Sequence, residues 1–197
     1  MMKYSLTLLI VSILSSTSFL VQATSTLTSP YAGEEARVIK SLSAKDIDDL
    51  LNGRGWGFAK PAELNGVPGP AHLLEMKTEI ALSAEQVSAI EVIWSEMNQN
   101  ARRLGEHYVA LERELNERFA TGQITSDTLK TLLLKIATVQ TELRYTHLFA
   151  HLQASPILKP AQVALYNRLR GYSSDDPCLN IPEGHDPNMW KKHNNCE

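Results

Sequence analysis

The sequence predicts an all-α protein: a long antiparallel helical hairpin with short flanking helices, an N-terminal Gly/Pro-rich loop region and a flexible C-terminal tail. Three observations carry this prediction. Apolar residues recur at alternating steps of three and four from Val87 to Phe119, and again from Leu129 to Ala150. A short turn around Gly122 separates the two runs, which makes the helices antiparallel neighbours. No segment shows the period-two alternation of a strand.

Taken in order, the chain opens with a leader. Lys3 is the only charge in the first 33 residues, an apolar stretch runs from Leu6 to Leu20, and Val21-Gln22-Ala23 supplies small residues where a signal peptidase cuts. Residues 1–23 therefore read as a secretory signal peptide. The competing reading, an uncleaved membrane anchor, is disfavoured because the apolar core is short and rich in Ser and Thr. Net charge is −3, and one unit more negative without Lys3, which excludes a basic nucleic-acid binder. The rest is long enough for one domain with a core. Cys178 and Cys196 both fall near the C-terminus, and in an oxidising compartment they suggest a disulfide.

Residues 24–80 read as an N-terminal extension. After a polar stretch from Thr24 to Pro30, Ser43 is placed as an N-cap with Asp46 at the third helical position. Ile47, Leu50 and Leu51 give that helix an apolar face, and Gly53 ends it. The stretch Asn52–His72 is dense in Gly and Pro. A dinucleotide-binding loop needs a strand before its glycines and a helix after them, and neither is present. The stretch reads instead as a structured loop around a short helix at Pro61, with Trp56, Phe58 and Leu64 packing on the body. Its length keeps a binding role open. A further helix starts at Pro70 and runs to about Ile80, with Leu73, Leu74 and the stem of Lys77 facing inward.

Residues 81–172 hold the hairpin and a third helix. In "ALSAEQVSAI" Ser83 and Gln86 form a capping box, and Leu82 serves as the hydrophobic staple. The pattern returns in "ILKPAQVALY", with Leu158 as staple, Pro160 at the first helical position and Gln162 at the third. There Lys159 takes the cap position and has no side-chain acceptor, so the second box is half formed. The first seam is Val87, Ile90, Trp94, Met97, Ala101, Leu104, Tyr108, Leu111, Leu115 and Phe119, a helix roughly 55 Å long. Thr125 caps the second long helix, whose seam is Leu129, Leu132, Ile136, Val139, Leu143, Thr146 and Ala150. The third helix, Pro160 to Arg170, turns Val163, Tyr166 and Leu169 inward and stops at Gly171. In the polar tail, residues 173–197, Asp186 and Pro187 start one or two helical turns.

A leader, a long helical hairpin and two L-[S/K]-x-x-Q helix starts resemble the LTxxQ-type periplasmic family, which includes the Spy and CpxP stress proteins, zinc-resistance-associated proteins and CnrX-type heavy-metal sensors. The matching residues are Leu82-Ser83-Ala84-Glu85-Gln86 and Leu158-Lys159-Pro160-Ala161-Gln162, and the resemblance covers about half of the mature chain. Ser83 and Lys159 stand where the family favours Thr. The resemblance implies a periplasmic, non-enzymatic and usually dimeric protein. Some members bind unfolded client proteins on a concave helical surface. Others bind transition metals and report them to a sensor kinase or anti-sigma protein.

Several residues carry candidate chemistry. "HLFAHL" sets His147 and His151 four apart on one helical face, the spacing of a two-His half-site. With the hairpin turn centred near residue 123, Met97 lies opposite them, and Glu96 is near enough in sequence to add a carboxylate. Two imidazoles and a thioether suit Cu, Ni, Co or Zn. The alternative is that both histidines hydrogen-bond to the loop or to water. His107 lies about 12 Å further along the hairpin and cannot join them. His72 either supports the Trp56 loop or ligates. In the tail, His185, Met189 and His193 with the two cysteines form a second candidate metal set, against a disulfide between Cys178 and Cys196. Mixed charges from Arg102 to Arg118 read as a solvated flank or as the rim of a client surface. No nucleophile elbow or acid–base set occurs, so the expectation is a non-enzyme with metal sensing or resistance as its function, and an ATP-independent envelope chaperone or a regulatory partner of an envelope sensor kinase or anti-sigma protein as the alternatives.

Overall fold

A computed structural model describes residues 28–173, 181, 186–193 and 196. The leader, residues 1–23, lies outside them. The described residues form helices and no strand: α1 (Ala44–Leu51), α2 (Lys60–Glu63), α3 (Pro70–Glu75), α4 (Ala84–Ala120), α5 (Ser126–Ala154), α6 (Pro160–Leu169) and α7 (Pro187–His193), with 3-10 turns at Glu34–Ala36 and Ser155–Ile157. None of these helices is long and apolar enough to cross a membrane. Glu34–Glu197 make one compact unit, and Met1–Gly33 a separate one whose described residues form a turn closed by Ala32 N donating to Ser29 O at 3.1 Å.

Side-chain caps open α1, α4, α5 and α7, while α2 and α3 start without one. Ser43 Oγ accepts from Asp46 N at 3.1 Å, and Asp46 returns the bond to Ser43 N at 2.8 Å. Asp46 also accepts the Trp56 indole N–H at 2.8 Å, so the α1 cap anchors the following loop. Hydrogen bonds from Ser43 and then Trp56 hold the Asp46 carboxyl below its ordinary pKa despite some burial. Thr125 and Thr128 box the start of α5. Asp186 accepts the amides of Asn188 and Met189 at 3.0 and 2.8 Å ahead of Pro187.

Two cores follow from the seams. The larger joins Leu50 and Phe58 to Ala101, Leu104, Tyr108 and Leu111 of α4 and Leu132, Ile136, Val139 and Leu143 of α5. The smaller joins Leu73, Ile80, Ile90, Ala154 and Tyr166. Gly105 lets α1 lie directly on α4: a Cβ there would stand 2.1 Å from the Leu50 carbonyl oxygen.

The repeated motif is a clasp between the starts of α4 and α6, beside the smaller core. Gln86 Nε2 donates to Gln162 Oε1 at 2.9 Å, and Gln162 Nε2 donates back to Gln86 Oε1 at 3.0 Å. Each Oε1 also accepts its own cap amide, Ser83 N at 3.0 Å and Lys159 N at 2.9 Å. Each Nε2 further reaches a carbonyl beside the other helix start, Ile157 O at 2.8 Å and Ala81 O at 3.1 Å. Every polar atom of the two amides is thereby used, which explains why one chain carries the pattern twice. Only the glutamine half of the second box is made, since the Lys159 ammonium cannot accept.

Six expectations need correction. The helix from Pro70 ends at Glu75 and not near Ile80, because the chain turns through Ala81 (φ +50°) to bury Ile80 in the smaller core. That turn leaves Lys77 exposed. Leu64, at the end of α2, is 62 % exposed and does not pack on the body. Leu169 is also exposed, because Tyr166 and Leu165 already supply the inward face of the short α6. Trp94 and Phe119 occupy seam positions but are exposed: Trp94 borders a cavity in place of a helix, and Phe119 lies on the last turn of α4, where α5 has only begun.

Candidate functional site

Along the seams, a space remains between the larger core, which reaches Ala101 and Leu143, and the smaller one, which holds Ile90 and Ala154. A cavity of about 670 Å³ lies where the extension, carrying Trp56, Lys60, Glu63 and His72, meets Trp94, Met97 and Asn98 of α4 and His147 and His151 of α5. Arg170 and Tyr172, beyond the end of α6, complete its wall. The Asn52–His72 loop is thus one side of a binding-sized space.

Met97, His147 and His151 all line it. His147 is 3 % exposed, its ring stacks on Phe58 with centroids 6.1 Å apart, and its Nε2 is buried without a hydrogen-bond partner. Burial, helped by the nearby His151, pushes its pKa down to about 4, so the imidazole is neutral at physiological pH. A neutral imidazole keeps a lone pair for a ligand. His151 is also buried, and its Nδ1 lies 2.7 Å from the Val67 carbonyl oxygen. A carbonyl only accepts, so Nδ1 carries the proton and the lone pair of the neutral ring is on Nε2. Metal-ligating histidines are oriented by the same kind of bond. Gly69 makes room beside that nitrogen, since a Cβ at Gly69 would stand 2.5 Å from His151 Nε2.

Beside the histidines sits a carboxylate that the sequence did not single out. Glu63 Oε1 accepts from the Tyr166 hydroxyl and from the Tyr172 hydroxyl at 3.2 Å, and lies 3.2 Å from His72 Nδ1 and 3.4 Å from Arg170 Nε. Burial alone would raise its pKa, but the bonds from His72 and Tyr166 outweigh that and hold it at about 2. Burial, together with its bond to the Glu63 carboxylate, drives the pKa of the Tyr166 hydroxyl far upward. Glu63 Oε2 is buried with no hydrogen-bond partner.

The remaining expected residues fall elsewhere. Glu96 is exposed and does not border the cavity. It is one residue from Met97, and one helical step turns a side chain by about 100°. His107 is exposed, while His72 borders the cavity and supports Glu63. Met189 is 74 % exposed on α7 and is not part of the wall. His193 ends α7, and its side chain, like His185 and Cys178, lies outside the described residues. Cys196 is disulfide-bonded. Leu82, Ser83, Gln86, Leu158, Pro160 and Gln162 act as helix starts and clasp, away from the cavity wall. Among the described residues, no group of three or more His, Cys, Asp or Glu side chains is arranged to hold a metal ion. Compared with known proteins, the chain matches no family model, no curated protein and no solved structure.

Proposed function

We propose that this chain is an exported, non-enzymatic metal-binding protein of the bacterial envelope, a heavy-metal sensor or resistance protein of the LTxxQ type. In this reading α4 and α5 form an antiparallel hairpin, and a late transition metal such as Cu, Ni, Co or Zn binds at its open end. His147 Nε2, His151 Nε2 and the Met97 sulfur are the ligands. The observation that carries the reading is the pair of imidazoles on one cavity with Met97, one orphaned at Nε2 and the other with its proton committed to Val67 O. Soft sulfur with two nitrogens favours copper within that series. Signal would pass to a sensor kinase or anti-sigma partner. Calorimetric titration of the four metals tests this. Wild type should bind copper and the His147→Ala/His151→Ala double variant should not, whereas equal affinity would refute the reading.

One observation supports a second reading, an ATP-independent chaperone. The outward face of α5 exposes Leu134, Tyr145, Phe149 and Leu152 at 61, 62, 41 and 64 %, and the Tyr145 and Phe149 rings stack at 5.3 Å. Such a face suits an unfolded client or a second copy of the chain. Suppression of client aggregation that is lost in Tyr145→Ser/Leu152→Ser and unaffected by metal would favour this reading. An apparent mass that falls to the monomer in the same variant would assign the face to a homodimer.

A further inference from the structure

We propose that Glu63 is the positioning residue of the cavity, holding His151 in the tautomer that offers Nε2 and carrying occupancy of the cavity to the C-terminal end of α6. This inference rests on the metal reading above. Glu63 is 8 % exposed, and its two oxygens are used unequally. The donors of Tyr166, Tyr172 and His72 converge on Oε1. Oε2 is left without a partner, 4.0 Å from His151 Nδ1. A buried carboxylate oxygen with no donor is costly and uncommon, and calls for a physical reason.

The reason lies in the neighbouring N–H. Val67 O and Glu63 Oε2 both stand on the Nδ1 side of His151, and both favour the proton there. The lone pair is thereby kept on Nε2. When a cation takes that lone pair, the ring loses electron density and Nδ1–H becomes a stronger donor. With both groups buried, its attraction to the ionised Glu63 grows, and Oε2 has the acceptor capacity to answer it. Carboxylate–histidine–metal relays work in this way.

The carboxylate also ties α2 to α6 and the residue two positions beyond its C-cap. Tyr166 and Tyr172 are 103 and 109 residues away in sequence, yet both donate to Glu63. The amides of Arg170, Gly171 and Tyr172 close the end of α6 onto Tyr166 O, Arg168 O and Asn167 O. Fixing Glu63 between His151 and the two tyrosines tightens that end. The cavity's ligand state is then readable in the backbone of residues 170–172, whose Arg170 and Tyr172 side chains also border the cavity.

Cobalt(II) is the probe, titrated into the full chain and followed by its visible absorption, with amide hydrogen exchange on the same samples. Wild type should bind cobalt and show slower exchange at residues 170–172 when loaded. Glu63→Gln keeps the shape and the tyrosine bonds but removes the charge. It should bind roughly ten- to hundred-fold more weakly and lose the cobalt-induced protection, with the cobalt ligand-field bands unchanged in kind. Affinity in Glu63→Gln equal to that of wild type would make Glu63 a structural staple only and overturn the inference while the metal reading stands. Unchanged exchange at 170–172 in loaded wild type would overturn the coupling by itself, even if the variant fails to fold. A wild type that binds no cobalt ends both.

Discussion

Gly69→Ala separates the site from the fold more cleanly than removal of a ligand. The backbone at Gly69 has φ −94° and ψ 151°, which any L-residue adopts, so alanine brings no backbone strain. Its Cβ would stand 2.5 Å from both His151 Nε2 and Cε1. An ordinary carbon–nitrogen contact needs roughly 1 Å more. The ring cannot simply retreat, because it is 7 % exposed and its Nδ1 is bound to Val67 O at 2.7 Å. Either the imidazole tilts and misaims its lone pair, or the α3 start moves away. The first costs affinity, roughly the ten- to hundred-fold seen when a ligand's support is disturbed. The second costs stability, on the order of 1–3 kcal/mol for overpacking. Gly55→Ala is the control: it borders the same cavity, and a Cβ there meets nothing within 4 Å. Copper titration and thermal melting of the three proteins give the answer. Gly69→Ala with wild-type affinity and wild-type melting would refute the placement of His151 described above.

Three further outcomes follow from the same geometry. Gly105→Ala would gain about 1 kcal/mol if helix propensity decided, but its Cβ meets the Leu50 carbonyl at 2.1 Å, so denaturant melts should show a net loss on the order of 1–2 kcal/mol; a stabilised variant would mean that α1 does not lie there. Gln86→Ala and Gln162→Ala each strand the other amide, so the double variant should cost clearly less than the sum of the two singles, and additive losses in a double-mutant cycle would deny the clasp. Stability should fall on acidification, in two stages of the same sign: His147 has a folded pKa of about 4 against an ordinary 6.5, so its contribution is full above 6.5 and lost as pH falls to about 4. Glu63, at about 2 against 4.5, then loses its contribution between 4.5 and 2. Each stage is worth about 3 kcal/mol at most, and urea melts of His147→Asn should lack the first, while its survival there would assign it to another group.

The parts of the fold that one sequence window can encode were legible. Ser43, Ser83 and Thr125 announce their helices, and the seams from Ala101 to Leu111 and from Leu132 to Leu143 predict the larger core. His147 and His151 stood out because their spacing is itself helical, and Met97 followed from counting across the turn. What needed distant partners was not legible. Glu63 looks like any acidic residue in a loop until Tyr166, Tyr172 and Arg170 arrive from the other end of the chain. Gly69 and Gly105 matter for what lies against them, and no periodicity marks that. Glu96 was drawn in by proximity along the chain, although adjacent helical residues face different directions. The end of α3 was missed because Ile80 extends the apolar pattern while its burial requires the helix to stop and fold back.

The ligand set itself is most directly tested by X-ray absorption on the copper(I)-loaded protein. Two imidazole nitrogens and one sulfur should surround the metal in wild type. Met97→Leu should lose the sulfur and keep both nitrogens, with little change in stability because the core volume is conserved. A spectrum with sulfur retained in Met97→Leu, or without imidazole in wild type, would place the metal elsewhere and contradict the assignment of His147, His151 and Met97 as the site.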